Sequence, residues 1–180
     1  MGFTENILNT IIETIPQPSY IKNEQFRYIN CNQAFCNYFR KTRSEIIGAT
    51  AFDIVDNKRA QRHQNNDIEL IKSGISQTYE SKLPANDEKE HNVVFHKSIV
   101  MDGHGNKLGI VGIIEDITEN KKNKAELIES EQKYKKIFEN VQDVFYRTDL
   151  SGILTEISPS IQRYSKYIHS DIIGQPIDKF

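Results

Sequence analysis

The stretch Leu108-Gly109-Ile110-Val111-Gly112-Ile113-Ile114 is apolar almost throughout, as expected of a strand in the middle of a sheet. Ahead of it, Asp102-Gly103-His104-Gly105-Asn106 is a strong hairpin turn signal. Before that turn lie two more strand-like segments, 91–101 and 75–83, separated by turn residues Pro84-Ala85-Asn86-Asp87. Further back, residues 57–73 read as one helix that closes on Leu70, Ile71 and then Gly74. Ahead of it come short helical pieces. Asn32 is an N-cap candidate for a turn carrying Phe35, Tyr38 and Phe39. Ser44-Glu45-Ile46-Ile47-Gly48 is a single turn ending at a glycine, and 51–55 a further short turn. At the start, 19–22 and 26–31 read as two strands around Asn23-Glu24. A helix over 8–15, with Leu8, Ile11, Ile12 and Ile15 on one face, stops at Pro16 and Pro18. Strands at both ends with helices between them predict an α+β fold: a five-stranded antiparallel sheet with helices on one face, enclosing a space between the layers.

The pattern changes after Thr118. Residues 119–140 are highly charged and free of Pro and Gly, and read as one amphipathic linker helix. Leu127, Tyr134 and Val141 recur every seven residues, which would suit a homodimeric coiled coil. Glu131 and Lys135 are an acid-to-base pair four apart. A shift of 126 residues then overlays the start of the chain on its end without a gap. Ile11 falls on Ile137, Tyr20 on Tyr146 and Tyr38 on Tyr164. Ser44-Glu45-Ile46-Ile47-Gly48 falls on Ser170-Asp171-Ile172-Ile173-Gly174. Residues 134–180 thus read as a second copy, cut before its long helix and last three strands. Such a copy is expected to be poorly folded alone or to borrow a partner.

Four motifs in order carry a family resemblance. Tyr28-Ile29-Asn30-Cys31-Asn32-Gln33-Ala34-Phe35 resembles the PAS strand that runs into an Asn-x-Ala-Phe helix start. Ser44-Glu45-Ile46-Ile47-Gly48 resembles the PAS "EELIG" turn. Residues 109–119, ending Asp116-Ile117-Thr118-Glu119, resemble the last PAS strand and its "DIT" exit. Residues 130–139 resemble the linker that introduces a second PAS repeat. The resemblance implies a PAS fold over 5–118, a signalling helix over 119–140 and a truncated second PAS over 134–180. It implies a sensory input module of a two-component histidine kinase, or a ligand-free dimerisation and spacer module of a cyclic-dinucleotide enzyme or transcription regulator. It also implies that Asp116 and Thr118 relay the signal, with Thr118 capping the helix that follows.

The chain has 180 residues, 37% hydrophobic and 27% charged, with net charge -2. No basic block marks a nucleic-acid surface, and Lys121-Lys122-Asn123-Lys124 reads as a solvated helix face. No apolar run reaches the ~20 residues of a membrane span, and the N-terminus lacks a signal-peptide pattern, so the segment is expected to be cytoplasmic. Cys31 and Cys36 match no metal or redox spacing and read as buried.

A small-molecule ligand would meet Tyr20, Tyr28, Phe35, Phe39, Leu70, Phe95 and Val111, with His63 as a further candidate, although plain core packing is the readier explanation of the first seven. His63 stands where haem-binding PAS domains supply an axial histidine, but its polar neighbours Arg62, Gln64, Asn65 and Asn66 argue for a solvated face. The flavin-type pattern is missing around Asn30-Cys31-Asn32. His91 and His96, five apart on a strand, point to opposite faces and make no metal pair. No phosphate loop, nucleophile motif or phosphoacceptor histidine motif is present, so the segment is expected to have no catalysis of its own.

Overall fold

The structure, a computed structural model, describes residues 2–84 and 89–180, and the side chains of residue 7 and of 9 onward. Ala85, Asn86 and Asp87 of the expected loop, and the Leu8 side chain, lie outside the described residues. The chain forms two compact units, Met1–Lys121 and Lys122–Phe180.

In the first unit, β1 (Ser19–Lys22) and β2 (Tyr28–Cys31) form a hairpin, followed by the short helices α2 (Gln33–Phe39) and α3 (Arg43–Ile46). A one-turn 3-10 helix, Ala51–Asp53, leads into the long helix α4 (Asn57–Ser73). Three strands follow: β3 (Gln77–Pro84), β4 (Glu90–Met101) and β5 (Lys107–Asp116). A further helix, α1 (Gly2–Thr14), precedes them all. The five strands make one antiparallel sheet in the order β2-β1-β5-β4-β3, so β5 is central, as its apolar sequence predicts.

Register decides which side chains share the core face. Tyr20 pairs with Gly112, Lys97 with Gly112, Phe95 with Ile114, and Tyr79 with Phe95. Paired residues point the same way, so Tyr20, Lys22, Tyr79, Val93, Phe95, Lys97, Ile110 and Ile114 line one face, against which α4 packs. Gly112 is required there: a Cβ at this position would come within 2.3 Å of Tyr20 Cζ, so the ring lies where any other residue would put its side chain.

The β1–β2 turn is longer than the sequence suggests. Phe26 does not begin β2; it sits at φ 58, in the left-handed region, inside the loop. Asn23 holds the loop closed, its Oδ1 accepting from the backbone N of Gln25 and Arg27.

In the second unit, β6 (Tyr146–Thr148) pairs with β7 (Leu154–Ile157), followed by α6 (Ile161–Tyr164), α7 (His169–Ile172) and a 3-10 turn, Ile177–Lys179. The 126-residue repeat holds bond by bond. Tyr20↔Cys31 becomes Tyr146↔Ile157, and both hairpins shift register one step on. Gly48 N donates to Tyr28 O at 2.8 Å, and Gly174 N to Leu154 O at 2.8 Å. Asp149 Oδ1 closes its loop as Asn23 does, and Gly152, φ 78, stands where Phe26 does. The buried apolar set is small: Leu154, Ile157 and Ile172, with Val144, Ile161 and Ile173 against them.

The linker helix α5 (Thr118–Asn140) crosses the boundary between the units and has no buried residue. Its pairs four apart are Lys122–Glu126 and Lys135–Glu139, so Lys135 faces Glu139 in place of the expected Glu131. No helix among the described residues is long and apolar enough to cross a membrane.

Candidate functional site

The interior of the first unit is built from two aromatic groups with charge between them. Tyr20, Tyr28 and Phe35 form a triangle with ring centroids 5.3 to 5.4 Å apart, and Phe39 lies 4.7 Å from Phe35. On the β3–β4 side, Phe95 stacks on Tyr79 at 5.2 Å, and His63 lies 4.6 Å from Phe95. Lys22, Asp67 and Lys97 connect the two groups, at 1%, 0% and 2% exposure. Lys22 Nζ donates to Asp67 Oδ2 at 2.7 Å and Lys97 Nζ to Asp67 Oδ1 at 2.5 Å. Each ammonium also lies over rings: Lys22 is 4.8 Å from the Tyr28 centroid, and Lys97 5.4 Å from that of Tyr79.

Two ammoniums share one carboxylate. Burial pushes the Asp67 carboxyl up, but Lys22 and Lys97 outweigh it and hold the group below the usual carboxylate range. Burial pulls Lys97 down to about 8; Asp67 offsets this only in part, and Lys22 adds to it. Burial, then Lys97 and Lys22, bring His63 down to about 3, so its ring is neutral near pH 7. Its Nδ1 lies 3.1 Å from the Tyr79 hydroxyl.

This charged centre was not read from the sequence, although its signals are there. Lys22 follows Tyr20 at a spacing of two, and Lys97 follows Val93 and Phe95 in the same way. Ala60, His63, Asp67 and Leu70 form the buried stripe of α4 at spacings of three and four.

Of the expected pocket residues, Tyr20, Tyr28, Phe35, Phe39, His63 and Phe95 do meet, around a remaining void of about 10 Å3. His63 is a correction: its polar neighbours suggest a solvated face, yet it is 7% exposed and points inward. Val111 is also a correction. It pairs with Ile21 and Ser98 and shares their face, opposite to that of Tyr20 and Lys97. Leu70 is buried but lies outside the residues that line the void. Cys31 and Cys36 are buried, with Sγ atoms 3.7 Å apart. Among the described residues no group of three or more His, Cys, Asp or Glu could hold a metal ion.

At the exit, Asp116 and Thr118 come together with β4. Asp116 Oδ1 accepts from Thr118 N at 2.9 Å and Oδ2 lies 2.5 Å from His91 Nδ1. Burial would raise the Asp116 carboxyl, but the bonds from His91 and Thr118 win and hold it low. The Thr118 hydroxyl does not cap α5; it accepts from Asn92 N at 2.9 Å, while Ile117 N donates to Asn92 O. Asp116 does the local capping, and Thr118 pins the helix start to β4. His96 points to the opposite face from His91, towards Glu115.

The comparisons agree with this geometry. The family described as PAS domain matches residues 16–119. An uncharacterised protein of Sinorhizobium fredii, y4lL, is 28% identical over 179 residues, covering 92% of this chain and 22% of its own length. The aerobic respiration control sensor protein ArcB of Escherichia coli is 24% identical over 172 residues, covering 91% of this chain and 22% of its own. The chain therefore spans about a fifth of the length of these relatives. Among solved structures, the PAS domain of Bordetella pertussis BvgS superposes with TM-score 0.57 at 19% identity, over 72% of this chain and 98% of that one. The phage VqmA–DPO complex superposes with TM-score 0.60 at 17% identity, over 71% and 59%. With the fold, the motifs and the match in agreement, the chain belongs to the PAS domain family.

Proposed function

We propose that the first unit is the input module of a longer signalling protein, a two-component sensor histidine kinase, and that it binds a small flat ligand bearing hydrogen-bond acceptors or negative charge. The observation that carries this reading is the interior charge: two buried ammoniums, one carboxylate and a neutral histidine, set between aromatic rings. A ligand that offers Lys22 and Lys97 further acceptors would relieve a charge that Asp67 alone leaves uncompensated. The void of about 10 Å3 has room for no such molecule, so binding requires the rings around it to move. The relay runs along β4 and β5 to Asp116 and Thr118, which join those strands to α5. The chain itself senses and does no catalysis.

Support also comes from the VqmA structures, which show VqmA bound to DPO. Leu127 and Tyr134, both exposed on α5 at a spacing of seven, favour pairing of two copies through this helix. The filled core favours a second reading, a ligand-free spacer that acts only by pairing.

Native mass spectrometry and an absorbance spectrum of the purified protein separate the two. A co-purified small molecule that is lost in Lys97→Met supports sensing; a ligand-free protein with unchanged pairing in that variant favours the spacer. In the full-length protein, Asp116→Ala with Thr118→Ala should uncouple output while ligand binding persists. Unchanged output would refute the relay.

A further inference from the structure

Outside the core, α4 and the β3–β4 edge enclose an open cleft of about 540 Å3, within the size range of small-molecule sites. It contains five cations and two carboxylates among the described residues. Both acids are already engaged: Asp56 with Arg59 at 2.5 Å, and Glu80 with Lys121 at 2.5 Å. Arg59 also pairs with Glu90. Lys58, Arg62 and Lys82 line the same cleft, and among the described residues their side chains make no ion pair or hydrogen bond. His63 lines this cleft as well as the interior void.

The walls reach the output junction. Lys121 lies in the first turn of α5. Asn92, also on the wall, is the residue to which Ile117 and Thr118 are bonded.

We propose that this cleft binds a small polyanion, a molecule carrying two or more closely spaced phosphate or carboxylate charges, and that its occupancy is felt directly at the base of α5. Three uncommitted cations converging on one cleft suit several negative oxygens better than one, because guanidinium and ammonium groups each take a separate acceptor. A bound polyanion also competes with Glu80 for Lys121. Its binding energy therefore depends on where the first turn of α5 sits, and by linkage the position of α5 affects its affinity. The site is a second input, beside the core, and does not depend on the core being occupied.

Calorimetric titration of the 180-residue protein with pyrophosphate, and separately with citrate, at physiological salt tests this. At least one should bind saturably, one to one; which of them binds tells phosphate from carboxylate recognition. Arg62→Gln with Lys82→Gln, both exposed positions, should weaken binding by about tenfold or more, since each removes a charge-assisted contact. Lys133→Gln with Lys136→Gln, which lowers the net charge equally, should leave it unchanged. Lys97→Met should also leave it unchanged, which separates this site from the core. On binding, amide exchange of residues 116–122 should change. Absence of saturable binding at millimolar concentrations of both probes would overturn the proposal. Equal weakening by the two charge-matched double variants would also overturn it, by reducing the effect to net charge. Unaltered exchange at 116–122 with binding intact would overturn the link to α5.

Discussion

Tyr20 and Tyr146 occupy the same place in the same hairpin, yet Tyr20 is 2% exposed and Tyr146 51%. The turns and the register of the two copies agree in their backbone bonds, down to the Gly48 and Gly174 contacts onto Tyr28 and Leu154. What differs is the other edge of the strand. β1 pairs with β5 as well as with β2, whereas among the described residues β6 pairs with β7 alone. The hairpin is therefore a local product of Asx loops, capping side chains and glycines. The core and its charge centre come from strands and a helix distant in sequence, which among the described residues belong to the first copy.

The largest expected effect breaks the charge centre of the first copy. Asp67→Ala leaves two buried ammoniums with no counter-ion and should cost the first unit about 3–5 kcal/mol in urea unfolding, while exchange across β6 and β7 stays the same. If both units weaken alike, the copies are not independent in the way their separate cores imply.

Next comes pH. His63 titrates at about 3 in the fold against about 6.5 for a free histidine, so the unfolded chain takes up the proton first. Its contribution is complete above about pH 6.5 and is lost as pH falls toward 3, at no more than about 1.4 kcal/mol per pH unit. His63→Gln should flatten that part of the profile. A slope that survives the substitution would show that the loss arises elsewhere.

A smaller contrast lies in the caps. Asn32 Oδ1 accepts from Ser19 N and Phe35 N, and its Nδ2 donates to Ile15 O and Gln17 O. In the second copy two serines divide this work: Ser158 Oγ accepts from Phe145 N, and Ser160 Oγ donates to Asp143 O. Asn32→Ala should cost about 2–3 kcal/mol and Ser158→Ala about 1 kcal/mol, each read from the exchange of its own hairpin. Similar values for both would remove this distinction. Asp116→Ala is expected to have an effect of similar size, about 1 kcal/mol, confined to faster exchange at 117–121.

The repeat, the central place of 108–114 and the Gly48 and Gly174 turns are legible because they rest on local residue patterns. The left-handed Phe26 is not, since bulky residues rarely take that conformation; the repeat holds the clue, because Gly152 stands in its place. The polar neighbours of His63 mislead, because the polarity of chain neighbours says little about which face of a helix a residue occupies. Its partners at 60, 67 and 70 decide that. Val111 was placed in the pocket because an all-apolar strand hides its own alternation, and only pairing with Ile21 and Ser98 shows which way it points. Lys22 and Lys97 do not stand out in the sequence because charge is the usual mark of a solvent face. They stay inside because Asp67, far away in sequence, meets them there.

Amide hydrogen exchange resolved over β1 and β6 in one sample tests the contrast most directly. Tyr20–Lys22 lies between two partner strands over a buried core, so its amides should open only with global unfolding of the first unit. Tyr146–Thr148 has one partner strand and a small core, so its amides should exchange through a separate and much cheaper opening. Equal protection of the two strands, at the level of global unfolding, would contradict the account.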